Sequence, residues 1–458
     1  MNVSSPLLKR ELLPVIITLA WPTMLEQLMQ TAVQYIDTAM VGSLGTQATA
    51  AVGATSTISW LFNSSISALG VGFLAFIAKS YGAGNRDLAR RAVRQSVLAV
   101  LITGTIFTAL PLLLSGLVPV WMQVDPSIRQ LSGQYFFIIY LPMLFRTATI
   151  IFGTVLRSVG DSKTPMRVGV MVNLINVCLN FFLIYPTRTC RLLQFSVTIP
   201  GAGWGVLGAA AASAIAFAAG GIGMTAALWN HPDISPRRQS LRPDAEVLLP
   251  CLQVALPNML QRFGTSLGFV AFAAMINSLG DISTAAHTIA NTVEAAFYIP
   301  GYGMQTAAAT LAGNALGARD KQRMKDLGRT IIVIEVVLMV FSGALLFAFA
   351  PAMMGIFASS AEVIFLGSIV LRMVAVSEPF YGFSIIVEGM MQGVGKTKAP
   401  FVYNITGMWL VRIVGTFICT YALGMGLISA WACMIAHNML LFVLFMCAYV
   451  RGSWNPLR

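Results

Sequence analysis

The sequence predicts an all-α integral membrane fold: twelve transmembrane helices in two six-helix lobes related by an internal repeat. Three observations carry this reading: an apolar composition, a one-sided distribution of Lys and Arg, and a single register that superimposes the halves. Of 458 residues, 57% are hydrophobic and 10% charged, against roughly 25% charged in soluble domains. A helix needs roughly 20 apolar residues to cross a hydrocarbon layer of about 30 Å. Twelve candidate stretches occur, at approximately 12–41, 47–79, 92–120, 131–156, 167–186, 203–229, 247–279, 283–313, 328–357, 363–392, 401–423 and 427–450. Helix is the expected form, because a spanning segment must satisfy its own backbone polar groups.

The net charge of +12 raises the possibility of a nucleic-acid partner, and the placement of the cations argues against it. Lys9 and Arg10 precede the first span, and Lys79, Arg86, Arg90, Arg91 and Arg94 follow the second. Arg157, Lys163 and Arg167 follow the fourth span, and Arg237, Arg238 and Arg242 the sixth. Arg319, Lys321, Arg323, Lys325 and Arg329 follow the eighth, Lys396 and Lys398 the tenth, and Arg451 and Arg458 the last. These 22 cations fall on one side, against Arg129, Arg188 and Arg191 on the other, with Arg146, Arg262, Arg372 and Arg412 inside spans. Positively charged loops stay cytoplasmic, so both termini are expected inside, with lipid rather than nucleic acid as the partner. Six cysteines include no CxxC; they read as packing residues, with Cys190 alone on the outer side and no structural disulfide expected. The first apolar stretch is too long for a cleavable signal peptide.

A gapless offset of 235 residues relates the halves. It matches Pro22, Met24 and Leu25 to Pro257, Met259 and Leu260, and Ser43-Leu44-Gly45 to Ser278-Leu279-Gly280. It also matches Gly82-Ala83 to Gly317-Ala318, and Val159, Gly160, Lys163 and Pro165 to Val394, Gly395, Lys398 and Pro400. Beyond the fifth span the offset becomes 221, as Gly205-Val206-Leu207 meets Gly426-Leu427-Ile428, so the first half carries a longer fifth-to-sixth loop. The expected units are 1–229 as the first lobe, 230–246 as a cytoplasmic linker and 247–458 as the second lobe. With six spans per half the repeats are parallel, an arrangement that places a transport site between lobes and exposes it alternately to either face.

Ionisable groups inside spans are costly and mark function. Six of the 17 acids fall there: Glu26, Asp37, Glu294, Glu335, Glu378 and Glu388. Glu26, Gln30, Gln34 and Asp37 lie within roughly 80° of one another at about 100° per residue, forming one polar face. Asn173, Asn176 and Asn180 form a second. Asp37 with Asn176 and Asn180 offers one carboxylate and two amide oxygens, suited to a monovalent cation or a proton, or simply to interhelical hydrogen bonding. In the second half His287, Asn291, Glu294, Tyr298, Tyr302 and Gln305 recur every three or four residues. Pro300, beside Gly301 and Gly303, interrupts that stripe and offers a place to bend. The expected substrate cleft is lined by Glu26, Gln34, His287, Asn291, Glu294 and Tyr298, with His287 a hydrogen-bonding partner and aromatic rings suiting an organic cation. Arg262 is a candidate partner for Glu294, and Arg372 or Arg146 for Glu378 or Glu388. Glu335 is placed near the cytoplasmic edge and outside the site.

Several segments together resemble the multidrug and toxic compound extrusion (MATE) transporters over nearly the whole chain. They are Gln34-Tyr-Ile-Asp37-Thr38-Ala-Met-Val-Gly42, Tyr81-Gly-Ala-Gly-Asn-Arg-Asp-Leu-Ala-Arg-Arg91, Leu156-Arg-Ser-Val-Gly160-Asp161-Ser-Lys-Thr-Pro165 and Asn176-Val-Cys-Leu-Asn180. The resemblance implies two lobes around a central cleft and a secondary antiporter that exports small organic, often cationic, compounds in exchange for H⁺ or Na⁺. It implies a cation-coupling site of Asp37, Asn176 and Asn180, with Ser213 standing where a Thr is usual. A bacterial cytoplasmic membrane, a monomer and no cofactor are the matching expectations. A flippase for a lipid-linked precursor is the alternative, with the four in-span arginines as its phosphate ligands. No G-x-x-x-x-G-K-[ST] loop is present, so neither an ATP-driven pump nor another enzyme is expected.

Overall fold

The computed structural model describes residues 9–122, 124–192, 195–237 and 241–457; Arg238, Arg458 and the side chain of Cys190 lie outside the described part. The first half consists of α1 (Leu13–Gly42), α2 (Thr46–Gly82), α3 (Arg86–Leu114), short α4 (Val118–Trp121), α5 (Pro126–Tyr140), α6 (Met143–Ser158), α7 (Lys163–Leu183) and α8 (Gly205–Trp229). The second consists of α9 (Ala245–Asn277), α10 (Asp281–Gly317), α11 (Lys321–Phe357), α12 (Ala361–Gly393), α13 (Lys398–Thr406), α14 (Val414–Phe417) and α15 (Leu427–Val450). α5 and α6 form one span bent by 47°. Residues 398–422 form another, with π-helical turns at Gly407–Ile413 and Ile418–Ala422.

Counted this way, twelve segments cross the membrane, six per lobe. Among the described residues, a test of length and hydropathy passes nine single helices and the bent α5–α6 pair. The two that fail, α1 and α10, are 30 and 37 residues long. They fall short because they carry the polar stripes, and α1 packs on α10.

Helix boundaries repeat the sequence register. α2 and α10 begin and end 235 positions apart, as do the starts of α3 and α11 and the ends of α6 and α12. The turn glycines explain why the register recovers glycine: Gly45 and Gly280 have φ of 109° and 99°, and Gly160 and Gly395 have 93° and 80°, where a side chain is strained. The longer loop of the first half is a two-stranded antiparallel hairpin, β1 (Pro186–Leu192) with β2 (Phe195–Ala202), a small sheet that the sequence reading did not contain.

Core membership does not follow the sequence boundary between lobes. Ile16, Leu19 and Ala20 at the start of α1 belong to the second lobe's core, with Met304, Leu311 and Phe383. Val247 and Cys251 at the start of α9 belong to the first lobe's core, with Ile77, Val93 and Leu156. Each lobe therefore grips the first helix of the other.

The linker is fastened to the first lobe by the basic first turns of α3. Arg91 binds Asp244 at 2.7 Å and Glu246 at 2.9 Å, and Arg86 binds Asp233 at 2.9 Å. Tyr81 donates to the same Asp233 at 3.0 Å, and Ile234 is fully buried beneath. Arg91 holds the Asp244 carboxyl below the usual carboxylate range. The tail after α15 is the counterpart, with Trp454 stacked on Tyr449 and buried in the second lobe.

Small residues close the lobes against each other at the basic-loop ends of α2 and α10. A Cβ at Gly82 would lie 2.1 Å from the Asn314 carbonyl oxygen, and one at Gly317 would lie 1.9 Å from that of Lys79. These contacts are two-fold partners, since Lys79 and Asn314 are themselves 235 apart. Backbone meets backbone there as in small-residue helix pairs in bilayers. Gly317→Val should force the seam apart and lower stability by about 1–3 kcal/mol, the usual scale of overpacking. An unchanged melting temperature in detergent would contradict this view of the seam.

Candidate functional site

The polar face of α1 meets the Asn stripe of α7. Asn180 Nδ2 donates to Asp37 Oδ1 at 2.6 Å. In one orientation of its amide, Asn176 donates from Nδ2 to Ser213 Oγ at 3.0 Å and accepts from Asn180 at 3.1 Å. With the amide turned over, its nitrogen donates to both Asp37 oxygens, at 2.8 and 3.2 Å, and its oxygen accepts from Ser213. An ionised carboxylate only accepts, so it selects the second orientation; the first sets an amide oxygen against Asp37 and needs a proton between them. Asn180 Oδ1 is buried without a hydrogen-bond partner. The four residues expected as a coupling site, Asp37, Asn176, Asn180 and Ser213, are thus in one hydrogen-bonded group. Asn173 is buried on the same helix, and its Nδ2 finds no partner among the described residues.

The other residues expected to line the cleft separate into three environments. Gln34 and Asn291 are exposed on α1 and α10, where Tyr35 also donates to the Thr292 carbonyl across the lobes at 3.3 Å. Glu26 lies on the α1 stripe but is held: both its oxygens accept from Arg157 Nη2, at 2.7 and 2.5 Å. The sequence reading counted Arg157 among the loop cations, whereas it is the partner of a buried acid.

His287, Glu294 and Tyr298 face the interior of the second lobe. His287 lies between the rings of Phe272 and Trp431, at 5.6 and 5.8 Å, and its Nδ1 has no hydrogen-bond partner. Its Nδ1 thus does not play the hydrogen-bonding role expected of His287, and ring packing surrounds it. Glu294 is buried in the field of Arg412, whose guanidinium covers Phe272 at 4.1 Å. Arg262, the partner considered from sequence, instead donates to Asn258. Tyr298, Tyr302 and Tyr381 form a ring cluster beside Glu294, the last two with hydroxyls 2.9 Å apart.

Glu388 accepts from Gln261 at 2.7 Å, Gln392 at 3.0 Å and Asn404 at 3.4 Å. Neither Arg372 nor Arg146 reaches an acid: Arg372 donates to the Phe347 carbonyl, and Arg146 covers the Phe217 ring at 4.1 Å. Glu335, expected near the edge, is 0% exposed. The repeat register could have revealed some of this, because Gln261 and Gln392 are the counterparts of Glu26 and Arg157. A charged pair in one lobe stands where two amides hold Glu388 in the other.

The MatE family profile matches residues 22–182 and, a second time, residues 257–418. The chain belongs to the MatE family. The two matches fall on the two lobes, as duplication of a MatE unit requires. The chain is 26% identical to "Probable multidrug resistance protein NorM" of Thermotoga maritima, over 98% of this chain and 94% of that protein. It is 23% identical to "Probable multidrug resistance protein YoeA" of Bacillus subtilis, over 90% and 87% of the two chains. Among solved structures, a MATE protein crystallised in complex with MaL6 has the same fold, with a TM-score of 0.87, 22% identity and 96% of each chain covered. A MOP superfamily transporter from Pyrococcus furiosus gives 0.86 at 23% identity, over 96% of this chain and 95% of that one. The protein is therefore a multi-pass membrane transporter of this family.

The Glu26–Arg157 pair allows a stability test. Removing one partner of a buried pair strands the other charge and costs about 3–5 kcal/mol. Arg157→Gln should destabilise on that scale, and adding Glu26→Gln, which copies the amides of the second lobe, should recover most of the loss. Thermal unfolding of purified protein checks this; equal melting of the single and double variants would contradict it.

Proposed function

We propose that this chain is a secondary antiporter that exports small organic, often cationic, compounds from a bacterial cell by alternating access, coupled to inward movement of H⁺. The observation that carries the reading is the Asp37–Asn176–Asn180–Ser213 group. Two amide nitrogens can point at Asp37, at 2.6 and 2.8 Å. Donors so placed satisfy a carboxylate but leave few oxygens to ligate a metal cation, which wants six or so. A proton needs only one lone pair. When it arrives, Asn176 turns from donor to acceptor toward Asp37, and its nitrogen turns to Ser213. The charge state of one side chain thereby changes the hydrogen bonds among α1, α7 and α8.

Coupling requires that the proton favour one conformation over the other. The seam of Gly82 and Gly317 is closed in this conformation, and with the basic loops and both termini in the cytoplasm it is the inner gate that is shut. Export then needs the seam to open to load substrate and to close before release. Rearranged contacts along α1 are suited to that, because its first turns are embedded in the opposite lobe. The exposed Gln34 and Asn291 line the substrate path in this reading, whereas Glu294 and the tyrosine cluster lie inside the second lobe. Drug efflux is supported by the names of the relatives. A single monomer suffices, with the bilayer and small molecules as the only partners. A phosphate-binding cleft for a lipid-linked precursor is less well supported, since Arg146, Arg262, Arg372 and Arg412 have separate partners.

Asp37→Asn should abolish export driven by a pH gradient while leaving the protein folded in the membrane. Transport by purified protein in vesicles, with melting temperature as the folding control, provides the measurement. Export at the rate of the unsubstituted protein would sink the coupling role of Asp37.

A further inference from the structure

A polar cavity of about 310 Å³ lies where α8 runs out into the linker, on the side of the basic helix ends. Its walls include Arg90 of α3, Trp229 at the end of α8, and Asn230, His231, Ser235 and Arg237 of the linker. The volume is at the small end of the range for ligand sites, roughly 300–1,000 Å³, and suits one compact polar group. No carboxylate is among the described lining residues. Asp233, the acid nearest in sequence, is engaged elsewhere, by Arg86 at 2.9 Å and the Tyr81 hydroxyl at 3.0 Å.

The local hydrogen bonds use up the acceptors and leave the donors. Ser235 Oγ donates to the Trp229 carbonyl at 2.6 Å, and the His231 amide to the Leu228 carbonyl at 3.3 Å, so these last carbonyls of α8 are satisfied. His231 Nδ1 accepts from the Asp233 amide at 3.3 Å, which puts the ring proton on Nε2. Arg237 Nη2 donates to Asn230 Oδ1 at 2.6 Å, so what Asn230 has left to offer is its Nδ2 donor. Arg90 Nε donates to the Asp233 carbonyl at 2.7 Å, and its Nη1 is 3.7 Å from Asp87, whose side chain is 94% exposed. The frame does not impose this set: at an offset of 221, the turn after α15 has Gly452 where this turn has His231.

Two guanidinium groups, an imidazole N–H and an amide NH₂ around one small space are a ligand set for an anion, and forked arginine donors match the oxygens of a phosphate. We propose that this cavity is a phosphate-binding site, filled from the bilayer by the head group of an anionic lipid or from solution by free phosphate. Its level in the membrane favours the lipid. Trp229 is the last residue of a span and packs on Phe152 at 6.1 Å, at the depth where aromatic side chains meet head groups. Basic pockets at the ends of spans take anionic head groups in the same way. A bound phosphate would join Arg90 of α3 to Arg237 of the linker, and so fix the first lobe to the segment that leads into α9. The site is independent of the ion that drives transport.

The experiment is thermal unfolding of the purified full chain in neutral detergent, titrated with phosphatidylglycerol or, separately, with inorganic phosphate at constant ionic strength. A ligand of the folded chain raises the melting temperature with its concentration, which yields an apparent Kd. Asn230→Asp sets a carboxylate among the donors while still accepting from Arg237, and Arg237→Gln removes a cation. Each should weaken binding about tenfold or more, the scale of one charge-assisted hydrogen bond. Asn230→Asp keeps the test open should Arg237→Gln loosen the linker. Lys321→Gln, which removes an exposed cation at the start of α11, should change nothing. Phosphatidylglycerol binding that both cavity variants weaken assigns the site to a lipid head group; inorganic phosphate binding that they weaken, without an effect on the lipid, assigns it to free phosphate. Titrations of both variants that match the unsubstituted protein with both ligands would overturn the proposal. So would an equal loss in Lys321→Gln, which would reduce the binding to a general effect of charge.

Discussion

A carboxylate within the hydrocarbon layer needs a cation, a set of donors or a proton, because water cannot reach in to supply what is missing. The spans meet that demand in different ways. Glu26 has Arg157, and Glu388 has three amides. Glu294 has the field of Arg412, and Asp37 has the amides of α7. Glu335 has neither cation nor donor within the described residues. Ranked by how firmly each acid is held, Glu26 comes first, with a cation, and Glu335 last, with neither cation nor donor among the described residues.

This ranking also accounts for the asymmetry between two lobes of one architecture. The helix ends superimpose through a constant offset, yet Asp37 is matched by Phe272, and Asn176 and Asn180 by Val411 and Gly415. Glu335 and Glu378 are matched by Val100 and Met143. Each lobe thus keeps a polar site where the other has an apolar core. One duplicated frame carries two different sets of buried polar groups, and α1 packs on α10 between the lobes.

Much of the frame was legible in the sequence because it depends on local rules. Span length follows from hydropathy, and the repeat from turn glycines such as Gly45 and Gly280, which only a positive φ explains. Asp37, Asn176 and Asn180 were legible because they recur at helical spacing on two stripes, whereas Ser213 was implied only by the family resemblance. Partner choice was not. Arg157 read as a loop cation because its sequence neighbours are loop residues, yet it reaches Glu26, 131 positions away. Glu335 read as an edge residue because α11 extends further toward the loops than its apolar stretch suggests. His287 and Glu294 shared a stripe with Asn291, but their side of α10 turns into the second lobe and not into the cleft. Such facts depend on how helices rotate against distant neighbours, and a single helix's periodicity contains no information about that rotation.

The central claim is that a proton held at Asp37 drives export. Its most direct test is transport of a cationic dye by the purified chain in vesicles, with either a pH gradient or a Na⁺ gradient imposed alone. The account predicts dye movement against its own gradient when protons run the opposite way, and none above empty vesicles when Na⁺ does so at equal pH. Transport driven by Na⁺ alone, with no response to the pH gradient, would contradict it.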